Sequence, residues 1–246
     1  MKLFNRAALL LCPLAFAAAI ASVSSIAFAS ETALNYLPIG QPVAAELLAP
    51  PPLIDSPEQA ADMAAVKAVY HSATSNDIAA AYSEKKFSVF NFTAAVGEFF
   101  QSNNLPKTAA FFEKVQLDAE TLTDLGKDYF HRPRPYSTDT NLINGKLEKS
   151  FSYPSGHSTE SMVLALVLAE AVPAQHDAII THARMMGWHR IQIARHYPTD
   201  IYAGRVLAQA IVGEMNKSET FEKELTEVRN EIEAARTTVK ILDSKG

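Results

Sequence analysis

The chain has 246 residues, 48% of them hydrophobic and 20% charged, with 9 Gly, 13 Pro and a single Cys. That length buries a sizeable core, and the composition excludes a collagen-like, low-complexity or wholly disordered chain. One cysteine excludes a disulfide scaffold and a Cys-based zinc site, and a formal charge of −5 argues against non-specific nucleic-acid binding as the main task.

Residues 1–29 carry Lys2 and Arg6, an apolar run from Ala7 to about Val23, and small residues ending Ala27-Phe28-Ala29. This is the pattern of a secretory signal peptide, which points to export and a periplasmic home; the alternative is an N-terminal membrane anchor. Cys12 falls inside this stretch, so the chain from Ser30 has no cysteine. Losing Lys2 and Arg6 leaves 20 basic and 27 acidic side chains, a net charge of −7. No later apolar run approaches the roughly 18 residues of a membrane span. The best, residues 162–169, is short and flanked by Glu160 and Glu170, so the mature chain is expected to be soluble.

Residues 30–56 are proline-rich, with Pro38, Pro42 and Pro50 to Pro52, and read as an extended arm over the surface. Ser56-Pro57-Glu58-Gln59 is a helix start, with Ser at N-cap, Pro at N1 and Gln at N3 reaching back. From there to residue 246 the spacing predicts an all-α domain. Its helices are expected to near 71, then over 77–90, 93–101, 107–130, 158–172, 175–195, 199–215 and 219–242, with loops at 103–104, 131–153 and 196–198. There is no internal repeat and no Gly/Ser-rich linker. The last helix is highly charged with a thin apolar stripe, which fits a solvated face or a homodimer contact.

Three segments carry chemistry. In Lys127-Asp128-Tyr129-Phe130-His131-Arg132-Pro133-Arg134-Pro135 the prolines end a helix near Phe130 and fix Arg134 on an irregular loop. Lys127, on the last turn, either points to the same spot or complements the macrodipole. Tyr153-Pro154-Ser155-Gly156-His157-Ser158 is a turn followed by a helix. Free N–H groups of Ser155, Gly156 and His157 there would form an anion site, or else the segment is an ordinary capped start. In His189-Arg190-Ile191-Gln192-Ile193-Ala194-Arg195-His196-Tyr197-Pro198-Thr199-Asp200, one helix is expected to end near His196 and another to begin at Pro198. Asp200 then stands four residues past His196, where it could accept from Nδ1–H and leave Nε2 free; many such His–Asp pairs are only structural. Three cations, N–H donors and two histidines together suit a tetrahedral oxyanion such as phosphate.

The three segments follow K-x6-R-P, P-S-G-H and, but for His189 at its first position, S-R-x5-H-x3-D, and the chain resembles the phosphatidic-acid-phosphatase type 2 (PAP2) superfamily, within it the class A bacterial non-specific acid phosphatases. The run Ser152 to His157 and the proline-rich arm leading into Asp55-Ser56-Pro57-Glu58 carry the class A likeness. The resemblance implies a single-domain helical bundle of the PAP2/vanadium-haloperoxidase type. It implies a phosphomonoester hydrolase, releasing inorganic phosphate, with no metal and no cofactor. His196 is then the nucleophile, Asp200 its orienting carboxylate and His157 the general acid and base. Lys127, Arg134, Arg190 and the Ser155 and Gly156 donors bind phosphate. His189 departs from the family pattern, which has Ser there. Arg132 reads as a substrate contact or a solvated charge, and His71, His176 and His182 as structural or exposed. Competing readings are a vanadate-dependent haloperoxidase, a soluble lipid-phosphate phosphatase and a non-catalytic phosphate-binding module.

Overall fold

The computed structural model describes residues 34–38 and 41–243, with side chains through Thr238. The expected signal peptide and the first residues of the arm lie outside the described residues. Every regular element described is helical, and the architecture is all-α.

In chain order the α-helices are α1 (Ala44–Leu47), α2 (Pro57–Ser72), α3 (Ser75–Ser83), α4 (Thr93–Val96), α5 (Pro106–Phe130), α6 (Pro135–Thr138), α7 (Gly156–Ala171), α8 (His176–Gln192), α9 (Pro198–Met215) and α10 (Glu219–Asp243). The bundle is built around α7, which packs on α5, α8 and α9. Its sequence explains this: Met162 to Ala169 is apolar on nearly all sides, the mark of a helix enclosed by others. The short apolar run that could not cross a membrane is the centre of the core. Among the described residues no helix is long and apolar enough to cross a membrane.

Small residues set how closely the helices approach. A Cβ on Gly204 of α9 would stand 2.9 Å from the Ser155 carbonyl oxygen, and one on Gly187 of α8 would stand 3.3 Å from Ser158 Oγ. These glycines let α8 and α9 close on the N-terminus of α7, which brings their own ends to the same place.

Several boundaries differ from the sequence expectation, each for a physical reason. The arm is not simply extended over the surface: it forms α1, and Tyr36, Leu37, Ala44 and Leu48 are buried. It is tied down by Asp118 of α5, whose carboxylate accepts from the N–H groups of Asn35 and Tyr36, each at 2.8 Å. Ser56 caps α2 as expected, accepting from Gln59 N–H at 3.1 Å. The Gln59 side chain, however, accepts from Arg132 instead of reaching back. The helix expected over 77–90 stops at Ser83, because residue 84 makes tertiary bonds described below. The helix expected over 93–101 stops at Val96, where Gly97 takes φ 134°. The loop expected over 131–153 contains α6. The helix expected to end near His196 ends at Gln192, and Ala194 adopts a left-handed φ of 51°.

On α10 the apolar stripe is Phe221, Leu225, Val228 and Ile232, all buried in the chain's own core, with α10 lying against α5. That stripe, the basis for expecting a homodimer contact, is consumed within the chain.

Candidate active site

The C-terminal end of α5, the N-terminus of α7, the C-terminal end of α8 and the N-terminus of α9 meet at one point. Helix ends supply it because Pro133, Pro135, Pro154 and Pro198 break or start helices there, leaving irregular backbone between rigid elements.

His196 sits between α8 and α9 and is 2% exposed. Its Nδ1 donates to the main-chain oxygen of Ser152 at 2.8 Å, and its Nε2 lies 3.1 Å from Arg134 Nη1. A guanidinium can only donate, so Nε2 is the acceptor: the ring is the neutral tautomer with its lone pair on Nε2. Burial and then Arg134 hold this imidazole well below the usual histidine range. Asp200 does not make the short bond to Nδ1 expected from the sequence: Oδ2 stands at 3.4 Å. That carboxylate is committed elsewhere, accepting from Ser152 Oγ at 2.5 Å, Tyr197 N–H at 2.9 Å and Arg132 Nη1 at 2.5 Å. Burial pushes the Asp200 carboxyl up, against the opposing pull of Arg132.

Arg134 and Arg190, 3% exposed each, converge as expected. Arg134 also donates to the Ser150 and Arg195 carbonyl oxygens at 2.8 and 3.1 Å. Lys127 pairs with Asp124 at 2.7 Å, yet its Nζ would be only 3.2 Å from a Cβ on Gly156, so it lies against the α7 N-terminus. Gly156 and His157 open α7, and their N–H groups have no intrahelical acceptor. Ser155 corrects the expectation of a free donor. Its N–H donates to the Asp200 carbonyl oxygen at 3.1 Å, and its Oγ caps α7 by accepting from Ser158 N–H.

His157 Nε2 donates to the Glu84 carbonyl oxygen at 3.1 Å. Burial and the nearby Arg190 lower its pKa to about 3. His189, the departure from the family pattern, pairs with the Glu84 carboxylate at 2.8 Å, so both histidines hold the segment that ends α3. Glu160, one turn into α7, is pushed up to about 7 by burial.

Four contributors were missed or misread in the sequence. Arg132 is not a solvated charge but a buried one, bridging Asp62 at 2.7 Å and Asp200 at 2.5 Å beneath His196. Glu148, from the loop after α6, pairs with Arg134 and Arg190, each at 2.7 Å. Arg195 is buried and donates to the carbonyl oxygens of Lys146, at 3.0 Å, and Asn144. Ser152 holds both His196 and Asp200. Arg132, Ser152 and Arg195 lie within the motif segments, where their neighbours were the signal, whereas Glu148 carried none. The cluster opens on a pocket of about 360 Å³ lined in part by Tyr82, Lys85, Lys146, Glu148, Arg190 and Arg195. A larger cleft of about 600 Å³ between α5 and α10 holds none of the motif residues. His71 and His176 are exposed, and His182 packs edge-on against Phe92.

Such a cluster offers a lone pair on His196 Nε2, fixed guanidinium donors beside it and a second imidazole nearby: the components of nucleophilic displacement at an anionic centre. Residues 116–220 match the PAP2 superfamily. An acid phosphatase of Zymomonas mobilis is 28% identical over 200 residues, spanning 78% of this chain and 76% of the relative. Non-specific acid phosphatases of Providencia stuartii and Salmonella typhi are each 29% identical, over 57% of this chain; the match spans 59% of their length. Among solved structures, a transmembrane PAP2-type phosphatidylglycerolphosphate phosphatase of Bacillus subtilis superposes with a TM-score of 0.47 at 20% identity, covering 71% of this chain and 90% of that one. The match to the PAP2 superfamily, over residues 116–220, takes in all three motif segments.

Proposed function

We propose that this protein is an exported acid phosphatase that hydrolyses small phosphomonoesters through a phosphohistidine, without a metal ion. The observation that carries the reading is the placement of His196 Nε2, a lone-pair donor 3.1 Å from Arg134, within an arginine pair already holding an oxyanion. The relatives named acid phosphatase support the substrate class.

In this reading Nε2 of His196 attacks phosphorus in line. The P–N bond forms as the P–O bond to the leaving alcohol breaks, and the alkoxide takes up the proton that the substrate monoanion brings, passed on through His157. Arg134, Arg190, Lys127 and the Gly156 and His157 N–H groups hold the equatorial oxygens as charge redistributes. Water then attacks the phosphohistidine, His157 takes its proton, and phosphate leaves. Ser155 contributes by capping α7, not by donating its N–H.

The experiment is turnover of an aryl phosphate at acid pH by the wild type and His196→Ala, with and without EDTA. The expected result is turnover that EDTA leaves intact and that the substitution abolishes, with an acid-labile phosphoryl group trapped on His196 in the wild type. Near-normal activity of His196→Ala would overturn the nucleophile, and loss to EDTA that zinc or magnesium restores would overturn the metal-free mechanism. Export is tested by fractionation, with a mature N-terminus at Ser30 expected.

A further inference from the structure

The arginine pair is not empty: it holds Glu148. Oε1 accepts from Arg190 Nη2 at 2.7 Å, Oε2 lies 2.7 Å from Arg134 Nη2, and Arg195 Nε stands 3.8 Å from Oε1. A carboxylate presents two oxygens to guanidinium groups much as one edge of a phosphate does.

The position of this residue is built by the fold. Tyr136 Oη donates to the Glu148 carbonyl oxygen at 3.1 Å, and Glu148 N–H donates to Tyr136 Oη at 3.2 Å. Upstream, Arg195 binds the Asn144 and Lys146 carbonyl oxygens; downstream, Arg134 binds that of Ser150. The backbone on both sides is therefore fastened to buried groups. The Glu148 side chain itself is 34% exposed and borders the open pocket, where Lys85, Lys146 and Lys149 also stand. It has somewhere to go.

The fit is also incomplete. Arg190 Nε and Arg195 Nη1 are buried without an acceptor among the described residues. Two carboxylate oxygens leave donors unmatched, whereas a phosphoryl group brings a third oxygen.

We propose that Glu148 is an internal competitor for the phosphate seat, an affinity-setting residue whose carboxylate must leave Arg134 and Arg190 before a phosphate ester engages them. This inference rests on the reading of the cluster as a phosphatase site. Removing the competing charge should tighten every phosphate ligand by one common factor, because each binding event includes the same displacement.

The test compares wild type, Glu148→Gln and Glu148→Asp in the full-length protein. It reads KM for an aryl phosphate, the competitive Ki of inorganic phosphate, and the phosphate Kd by calorimetry. Glu148→Gln should lower all three in parallel by about tenfold, the scale of one charge-assisted hydrogen bond lost to the competitor. Glu148→Asp, one methylene shorter, should fall between. A residue that merely supported the loop would raise KM when altered. Constants that stay put or rise in Glu148→Gln would overturn the proposal; if that variant does not fold, an unmoved Glu148→Asp would do the same. A wild type that binds phosphate but turns nothing over would remove the phosphatase reading, and the calorimetric comparison would still decide the role of Glu148.

Discussion

Asp200 Oδ2 stands 3.4 Å from His196 Nδ1, whereas Ser152 presents its main-chain oxygen to the same nitrogen at 2.8 Å. The tautomer of His196 is therefore set by backbone, and the carboxylate acts as a nearby charge held in place by Arg132, Ser152 and Tyr197. Asp200→Asn should leave the lone pair on Nε2. The expected loss in kcat is about 10²-fold, from weaker stabilisation of the charged ring. This is short of the roughly 10⁴-fold that accompanies an Asn substitution which puts a catalytic histidine in the wrong tautomer. Steady-state kinetics with a melting control would check it; a loss near 10⁴-fold would show that Asp200, not Ser152, fixes the ring.

The pH dependence follows from the two depressed imidazoles. His157 titrates near 3, and His196 is held well below the usual histidine range with Nε2 accepting from Arg134, so near neutral pH the free protein has both rings neutral. A neutral His196 is ready to attack, but a neutral His157 has no proton to give. The proton must arrive with the substrate monoanion. We expect kcat/KM to be flat below the second ionisation of the ester, about 6 for a phosphate monoester, and to fall tenfold per pH unit above it. Two aryl phosphates with different second ionisations should break at different pH values. A common break for both would assign the proton to the protein instead.

How much of this site was legible follows from where each group lies in the chain. Lys127, Arg134, Arg190, His196 and Asp200 sit in short windows bounded by prolines, where spacing alone determines which helix end each residue occupies. Glu84 and Glu148 sit in segments without periodicity, and they meet His189 and Arg190 across separations of 105 and 42 residues. No local pattern encodes such contacts. The same cause shortened the helix expected over 77–90. Arg132 was misread because a lone charge between a helix and a proline ordinarily faces water; its burial depends on Asp62, 70 residues away. The central helix was legible in place and length, and its apolar run over 162–169, read only as too short for a membrane span, is what marks it as the enclosed core.

Arg132 bridges two buried carboxylates, Asp62 at 5% and Asp200 at 0% side-chain exposure. Replacing it with methionine keeps the bulk and leaves both charges unpaired. The expected cost is about 3–5 kcal/mol of stability, the range for breaking a buried pair from one side. Adding Asp62→Asn to Arg132→Met removes one stranded charge and should restore part of that loss. Chemical denaturation of the single and double variants measures both numbers. A single-variant cost under about 1 kcal/mol would mean the pair behaves like a surface bridge.

Gly204 tests the connection between helix packing and the site. A Cβ there would stand 2.9 Å from the Ser155 carbonyl oxygen and 3.0 Å from Thr159 Oγ1. The first is backbone and cannot swing aside, so α9 must retreat from α7. Ser155 receives the N-cap position of α7 and bonds the Asp200 carbonyl oxygen, so this retreat separates the Gly156 and His157 N–H groups from His196. Gly204→Ala, which in an exposed helix gains up to about 1 kcal/mol, should here cost about 1–3 kcal/mol through overpacking. Turnover should fall further than the unfolded fraction accounts for. Both are read from melting curves and from kcat measured well below the transition. A variant as stable and as active as the wild type would show that α7 and α9 have slack at this contact, and that the site tolerates it.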